Sequence, residues 1–170
     1  LMLSVLVLIK YDKSEACRKM LLYLAFVFAG GFFIEVVGVN TGLIFGHYNY
    51  GEGLSIKLFD TPLMIGLNWA LMVYLSAAVV WSFRRNFLYQ VLLSSAIMVA
   101  YDVIMEQVAP KMDMWNWAGE TIPLQNYLLW ATIAVVFHAV RYFIRLEVKN
   151  RMALPILIIQ SIFFLLIWLI

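Results

Sequence analysis

Long apolar runs separated by short polar clusters dominate the chain, and they predict helices rather than strands. Met20 to Val39 is one such run, and its only charge is Glu35, near the far end. A second runs uncharged from Pro62 to Phe83 and stops at Arg84-Arg85-Asn86. A third returns from Phe87 to about Ala109, before Pro110; a fourth starts at Pro123 and ends around Arg145; the last is Met152 to Ile170. An apolar run of about 18 residues or more is the length that crosses a ~30 Å hydrocarbon core as a helix. Pro62 opens its helix in the favoured first-turn position, and Pro123 starts another. Between the runs, a stub from Leu1 to Ile9 leads into the charged stretch Lys10 to Lys19, and Lys111 to Ile122 forms a polar hairpin. Asn40 to Thr61 is rich in glycine and aromatics without a sustained apolar period, as expected of a structured loop or a segment lying in the interface. The expected fold is all-α: a polytopic transmembrane helix bundle of about five full spans plus an N-terminal partial span, forming one integral membrane domain over residues 1–170.

Composition strengthens that picture. Hydrophobic residues make up 65% of the chain and charged residues 13%, with a mean hydropathy of +0.91; ordinary soluble domains carry roughly 45–50% apolar and 25% charged residues. The chain opens on Leu1 rather than a methionine, consistent with a trimmed or unusual start, and the features of a signal peptide are missing there. The single Cys17 excludes an intramolecular disulfide, and with only His47 and His138 beside it a Cys/His zinc site is not expected.

Charge then orients the bundle. Lys10, Lys13, Arg18, Lys19, Arg84, Arg85, Arg141, Arg145, Lys149 and Arg151 fall on one side of the alternating crossings, against Lys57 and Lys111 on the other. The positive-inside rule places the basic side in the cytoplasm, so the loops Asn40 to Thr61 and Lys111 to Ile122 face the non-cytoplasmic side. The formal net charge of +2 is thus topological information and gives no reason to expect nucleic acid as a partner.

Three carboxylates lie inside the expected spans: Glu35, Asp102 and Glu106. An acid in the membrane interior is costly, which marks it as functional or as part of a satisfied polar pair. At ~1.5 Å per residue, Glu35 lies about 6 Å and Asp102 about 10 Å before the ends of their runs, both in the non-cytoplasmic leaflet. Asp102 and Glu106 are spaced i, i+4 and stack on one helix face. Two carboxylates that close in a low dielectric resist ionising together, which keeps a proton available for general-acid work. The structural alternative is that the acids tie helices together by accepting hydrogen bonds from Asn68, Asn126, Tyr48 or a Trp indole. Around them gathers an aromatic rim of Phe45, Tyr48, Tyr50, Trp69, Tyr101, Trp115, Trp117, Tyr127 and Trp130. An interfacial belt explains such residues in general, but the excess is one-sided. Aromatic faces can stabilise a cation without attacking it. The glycines from Gly30 to Gly46 read as packing and turn residues, His138 as a packed or headgroup-facing residue toward the cytoplasmic side, and His47 as a weak signal.

The run Glu35-Val36-Val37-Gly38-Val39-Asn40-Thr41-Gly42-Leu43-Ile44-Phe45-Gly46-His47-Tyr48-Asn49-Tyr50, followed by Pro62 and Asn68-Trp69, resembles the membrane-bound carotenoid hydratase family of bacteria and haloarchaea. Asp102-Val103-Ile104-Met105-Glu106, Trp115-Asn116-Trp117, Pro123, Asn126-Tyr127 and Trp130 resemble that family's second conserved region, although Glu106-Gln107 stands where an acid followed by proline is more usual. The resemblance implies addition of water across the terminal double bond of an acyclic carotenoid end group, giving a tertiary alcohol. It needs no cofactor and no metal. Asp102 or Glu35 would supply the proton and Glu106 would position water or the acid. Thr41, Phe45, Tyr48, Tyr50, Asn68, Trp69, Tyr101, Trp115, Trp117, Asn126 and Trp130 would bind the substrate. The implied partners are membrane lipid, a carotenoid substrate and other carotenoid biosynthesis enzymes. Three other readings fit the same residues: a carotenoid cyclase using the same protonation, a proton-coupled transporter subunit, and a non-catalytic carotenoid-binding scaffold.

Overall fold

The computed structural model describes residues 2–12, 17–54, 56–81, 83, 86–119 and 121–170; the expectations placed on Leu1, Lys13, Arg84, Arg85 and the Cys17 side chain lie outside the described residues. The chain is mostly helical, with six helices among the described residues: α1 (Met2–Tyr11), α2 (Cys17–Thr41), α3 (Leu63–Trp81), α4 (Phe87–Glu106), α5 (Leu124–Phe143) and α6 (Ala153–Leu169). Arg18–Thr41, Leu63–Trp81 and Phe87–Glu106 are long and apolar enough to cross a membrane. Helix α5 mixes Gln125, Asn126, His138 and Arg141 into its apolar sequence, and α6 has 17 residues. Leu22, Phe26, Phe33, Leu92, Val136 and Ile159 are exposed on the outer faces of the bundle. Apolar patches of that extent suit contact with lipid rather than water.

Helix α3 carries no charge and is apolar all round, so it is buried along nearly its whole length at the centre of the bundle. It packs against α2, α4 and α6, while α4 also packs against α5. Two links fix one end of the assembly: the Tyr23 hydroxyl donates to the Phe137 carbonyl at 2.8 Å, and Lys19 Nζ donates to the Ile144 carbonyl. Asn150 Nδ2 ties the α5–α6 connection to the Leu8 carbonyl of α1 at 2.8 Å. These bonds gather Lys10, Arg18, Lys19, Arg141, Arg145, Lys149 and Arg151 at one end, whereas Lys111 donates to the Trp168 carbonyl at the other.

The helix boundaries refine the expectations. Helix α2 extends to Thr41 and is closed by Gly42, whose φ of +67° and bond from its N–H to the Gly38 carbonyl at 2.8 Å form a left-handed C-terminal cap. Pro62 does not occupy the first helical turn: it ends strand β3 (Thr61–Pro62), and α3 begins at Leu63. Asn86 caps α4 by accepting from the Tyr89 N–H at 3.0 Å. Helix α4 ends at Glu106, before the expected Ala109, and the chain continues in turns through Pro110.

The loop regions contain strands that helical periodicity did not anticipate. Strand β1 (Tyr48–Tyr50) pairs antiparallel with β4 (Trp115–Trp117), aligning Tyr48 with Trp117 and Tyr50 with Trp115. Alternation across the ribbon leaves Asn49 and Asn116 exposed and turns the four aromatic residues toward the bundle. A second hairpin pairs β2 (Lys57–Leu58) with β3 through Phe59 and Asp60, both at positive φ, as a tight two-residue turn requires.

Candidate active site

The three acids converge under the aromatic ribbon. Glu35 comes from α2 and Asp102 and Glu106 from α4, and all three line one small cavity with Phe45, Tyr48, Tyr50, Asn68, Trp115, Trp117, Asn126 and Trp130. Ile65 and Met105, which sequence reasoning did not select, complete the wall; one turn from Asn68 and one residue from Glu106, their helical register was the only available signal. The space open to a water's centre is about 20 Å³, enough for a single water.

Hydrogen bonding divides the acids into two kinds. Glu35 Oε2 accepts from the Tyr48 hydroxyl at 2.7 Å and the Tyr50 hydroxyl at 2.8 Å, and its Oε1 accepts from Trp69 Nε1 at 3.1 Å. Glu106 Oε2 accepts from Trp115 Nε1 at 3.0 Å and Trp117 Nε1 at 2.8 Å, and its Oε1 accepts from Asn126 Nδ2 at 3.0 Å. The ribbon therefore supplies two donors to each glutamate, and a core helix supplies the third. Asp102 is different. Its side chain is fully enclosed, at 0% exposure; Oδ2 receives one long bond from Asn126 Nδ2 at 3.4 Å, and Oδ1 has no partner.

Donors aimed at a carboxylate favour its ionised form, whereas a buried carboxyl without them favours the neutral one. Three donors apiece offset part of the cost of a negative charge at Glu35 and Glu106, whereas Asp102, with one long bond, is the least equipped of the three to carry one. Burial first, and then the charge of Glu35, push the Tyr48 and Tyr50 hydroxyls above the ordinary phenol value of 10, so both remain donors.

Packing fixes the donors. Trp69 and Trp130 stack with ring centroids 3.8 Å apart, and Tyr48 lies 5.1 Å from Trp117. Gly31 lets Trp69 approach α2: a Cβ there would sit 2.5 Å from Trp69 Cγ. Trp69 thus reaches Glu35 while standing behind the cavity wall.

Besides Trp69, two expected substrate contacts lie outside the cavity. Thr41 is exposed at the end of α2, where its hydroxyl donates to the Val37 carbonyl at 2.6 Å. Tyr101 turns toward α6, its hydroxyl 3.4 Å from Gln160 Oε1 and its ring 5.8 Å from Phe164. Consecutive helical residues are separated by about 100°, which sends Tyr101 away from the cavity that its neighbour Asp102 lines. His138 is fully buried in α5, 3.1 Å from Ser76 Oγ and 3.3 Å from Met98 Sδ, and lines no part of the acid cavity.

A family model described as carotenoid biosynthesis protein matches residues 1–170. The chain belongs to that family. No curated protein and no solved structure matches it. In this carotenoid biosynthesis protein, the stretches Glu35–Tyr50 and Asp102–Trp130 supply every residue that lines the cavity except Ile65 and Asn68. Among the described residues, no group of three or more His, Cys, Asp and Glu is arranged to hold a metal ion.

Proposed function

We propose that this family member hydrates the terminal double bond of an acyclic carotenoid end group, converting it to a tertiary alcohol. The observation that carries the reading is the contrast between Asp102, enclosed and short of hydrogen bonds, and the two glutamates that each accept three. Asp102 delivers its proton to the less substituted alkene carbon, and the π electrons form the new C–H bond. The tertiary cation left on the other carbon is held by aromatic faces and by the charge of Glu35 and Glu106. Bonds from Tyr, Trp and Asn donors occupy the carboxylate lone pairs and restrain either glutamate from capturing the cation as an ester. Water adds to the cation and loses a proton to the acid cluster, which restores protonated Asp102. The net change is one water added, without oxidation or reduction.

The room for one water beside Asp102 favours hydration over cyclisation, in which an internal alkene must take the water's place. An end group is much larger than this space, so the reading requires the wall to open by that amount. A proton-coupled transporter would need a polar route through the protein, whereas the acid cavity is backed by the Trp69–Trp130 stack. A scaffold that only bound carotenoid would leave the poorly bonded Asp102 without a task.

In this reading the chain is one multi-pass membrane domain, with α5 and α6 joining α2, α3 and α4 as spans and α1 as a partial one. The basic end faces the cytoplasm and the ribbon faces the opposite side. Lipid and the polyene are then its immediate partners, with other carotenoid biosynthesis enzymes as neighbours.

Expression in a bacterial host that accumulates acyclic carotenoids, followed by liquid chromatography and mass spectrometry, tests the proposal. A more polar pigment heavier by one water is expected. An isomer of unchanged mass would assign cyclisation, and unaltered pigment with the protein confirmed in the membrane would remove both activities.

A further inference from the structure

A second cavity, of about 470 Å³, opens at the basic end of the bundle and is lined by Gln90, Arg141, Arg145 and Glu147 with Trp81 and Tyr142. Arg141 lies in the last turn of α5 and is only 1% exposed. A guanidinium does not shed its charge on burial, so it needs negative charge or a full set of acceptors. It has neither. Nη2 donates to Gln90 Oε1 at 2.9 Å and Nη1 to the Leu146 carbonyl at 3.1 Å, both neutral, while Nε has no partner. Among the described residues no carboxylate pairs with Arg141; Glu147, on the same cavity, pairs with Lys149 at 2.6 Å.

We infer that this cavity binds a phosphate-bearing anion, with Arg141 as its seat and Arg145 as a second cation at its rim. The volume lies within the ~300–1,000 Å³ typical of ligand sites. A phosphate offers several oxygens to the unused guanidinium N–H groups and supplies the charge that the protein withholds. Phosphate can come from the headgroup of an anionic lipid or from solution. The lipid source fits the basic end of the bundle, because cytoplasm-facing basic pockets between helices bind such headgroups. Gln90 and the Leu146 carbonyl each take one guanidinium N–H, and Nε is left unpaired. The inference is independent of the chemistry proposed for the acid cavity, at the opposite end of the protein.

The test is thermal unfolding of the purified full chain in phosphatidylcholine nanodiscs, with phosphatidylglycerol added to the bilayer in one arm and inorganic phosphate in solution in the other. A rise in melting temperature with phosphatidylglycerol identifies a lipid headgroup, and a rise with inorganic phosphate alone identifies a free anion; either supports the site. Arg141→Gln should weaken the response at least ~10-fold, the effect of losing a charged hydrogen-bonding group. Arg145→Gln, an exposed position, should weaken it less and serves as the reporter if the Arg141 variant does not fold. No stabilisation of the wild type by either anion, or a full response in Arg141→Gln, would overturn the inference. With the Arg141 variant unfolded, an undiminished response in Arg145→Gln would do so too.

Discussion

Exchanging Asp102 for Asn and Glu35 for Gln should separate chemistry from structure, because the two side chains are held so differently. Asn at 102 keeps the shape of the carboxyl and gives up a single bond of 3.4 Å, so the stability cost should be under ~1 kcal/mol. It cannot release a proton, however, and losing a general acid lowers a rate by ~10²–10⁴-fold. Glu35 accepts three bonds, at 2.7, 2.8 and 3.1 Å, from hydroxyl and indole donors. A glutamine amide there turns an N–H toward at least one of those donors. At ~1.5–3 kcal/mol for a hydrogen bond to a charged group, its loss together with the opposed donors should cost ~2–4 kcal/mol. Pigment analysis in the carotenoid-accumulating host measures turnover, and thermal unfolding of the purified variants in detergent measures stability. The expected result is an inactive Asp102→Asn protein that melts near wild type and a Glu35→Gln protein that melts markedly lower. Wild-type hydration by Asp102→Asn, or a Glu35→Gln protein as stable as wild type, would refute the division of the acids into a proton donor and hydrogen-bonded anions.

Further outcomes follow from the same contacts. Gly31→Ala forces a methyl to within 2.5 Å of Trp69 Cγ and should cost ~1–3 kcal/mol by overpacking, read as a lower melting temperature together with reduced turnover. Trp117→Phe removes the 2.8 Å bond to Glu106 and should lower stability by ~1.5–3 kcal/mol, again read by thermal unfolding. The raised Tyr48 and Tyr50 hydroxyls bind their protons more tightly in the folded protein than in the unfolded chain, where the ordinary value is 10. Their stabilising contribution is therefore complete below pH 10 and is lost as pH rises above it; Tyr50→Phe should flatten that alkaline decline in melting temperature.

Helical period was enough to place the acids. Asp102 and Glu106 follow the i, i+4 rule, and Glu35 sits near the end of an apolar run where depth can be counted. The ribbon was harder to foresee, because its two strands have three residues each and lie far apart in sequence, so only tertiary pairing stabilises them. Its sign was the repeated aromatic-Asn-aromatic pattern of Tyr48-Asn49-Tyr50 and Trp115-Asn116-Trp117, whose alternation suits a strand. Motif membership placed Thr41 near the site and the aromatic rim included Tyr101, but side-chain direction sends both away. Arg141 looked like one more residue of the basic end; its burial arises from the packing of α5 and could not be read from a charge count.

The most direct measurement is turnover of an acyclic carotenoid by the purified protein in heavy water, with the product analysed by mass spectrometry and NMR. Protonation by the acid cluster followed by water capture predicts one non-exchangeable deuterium on the carbon next to the new carbinol. A hydrated product with no deuterium at that carbon would contradict the account.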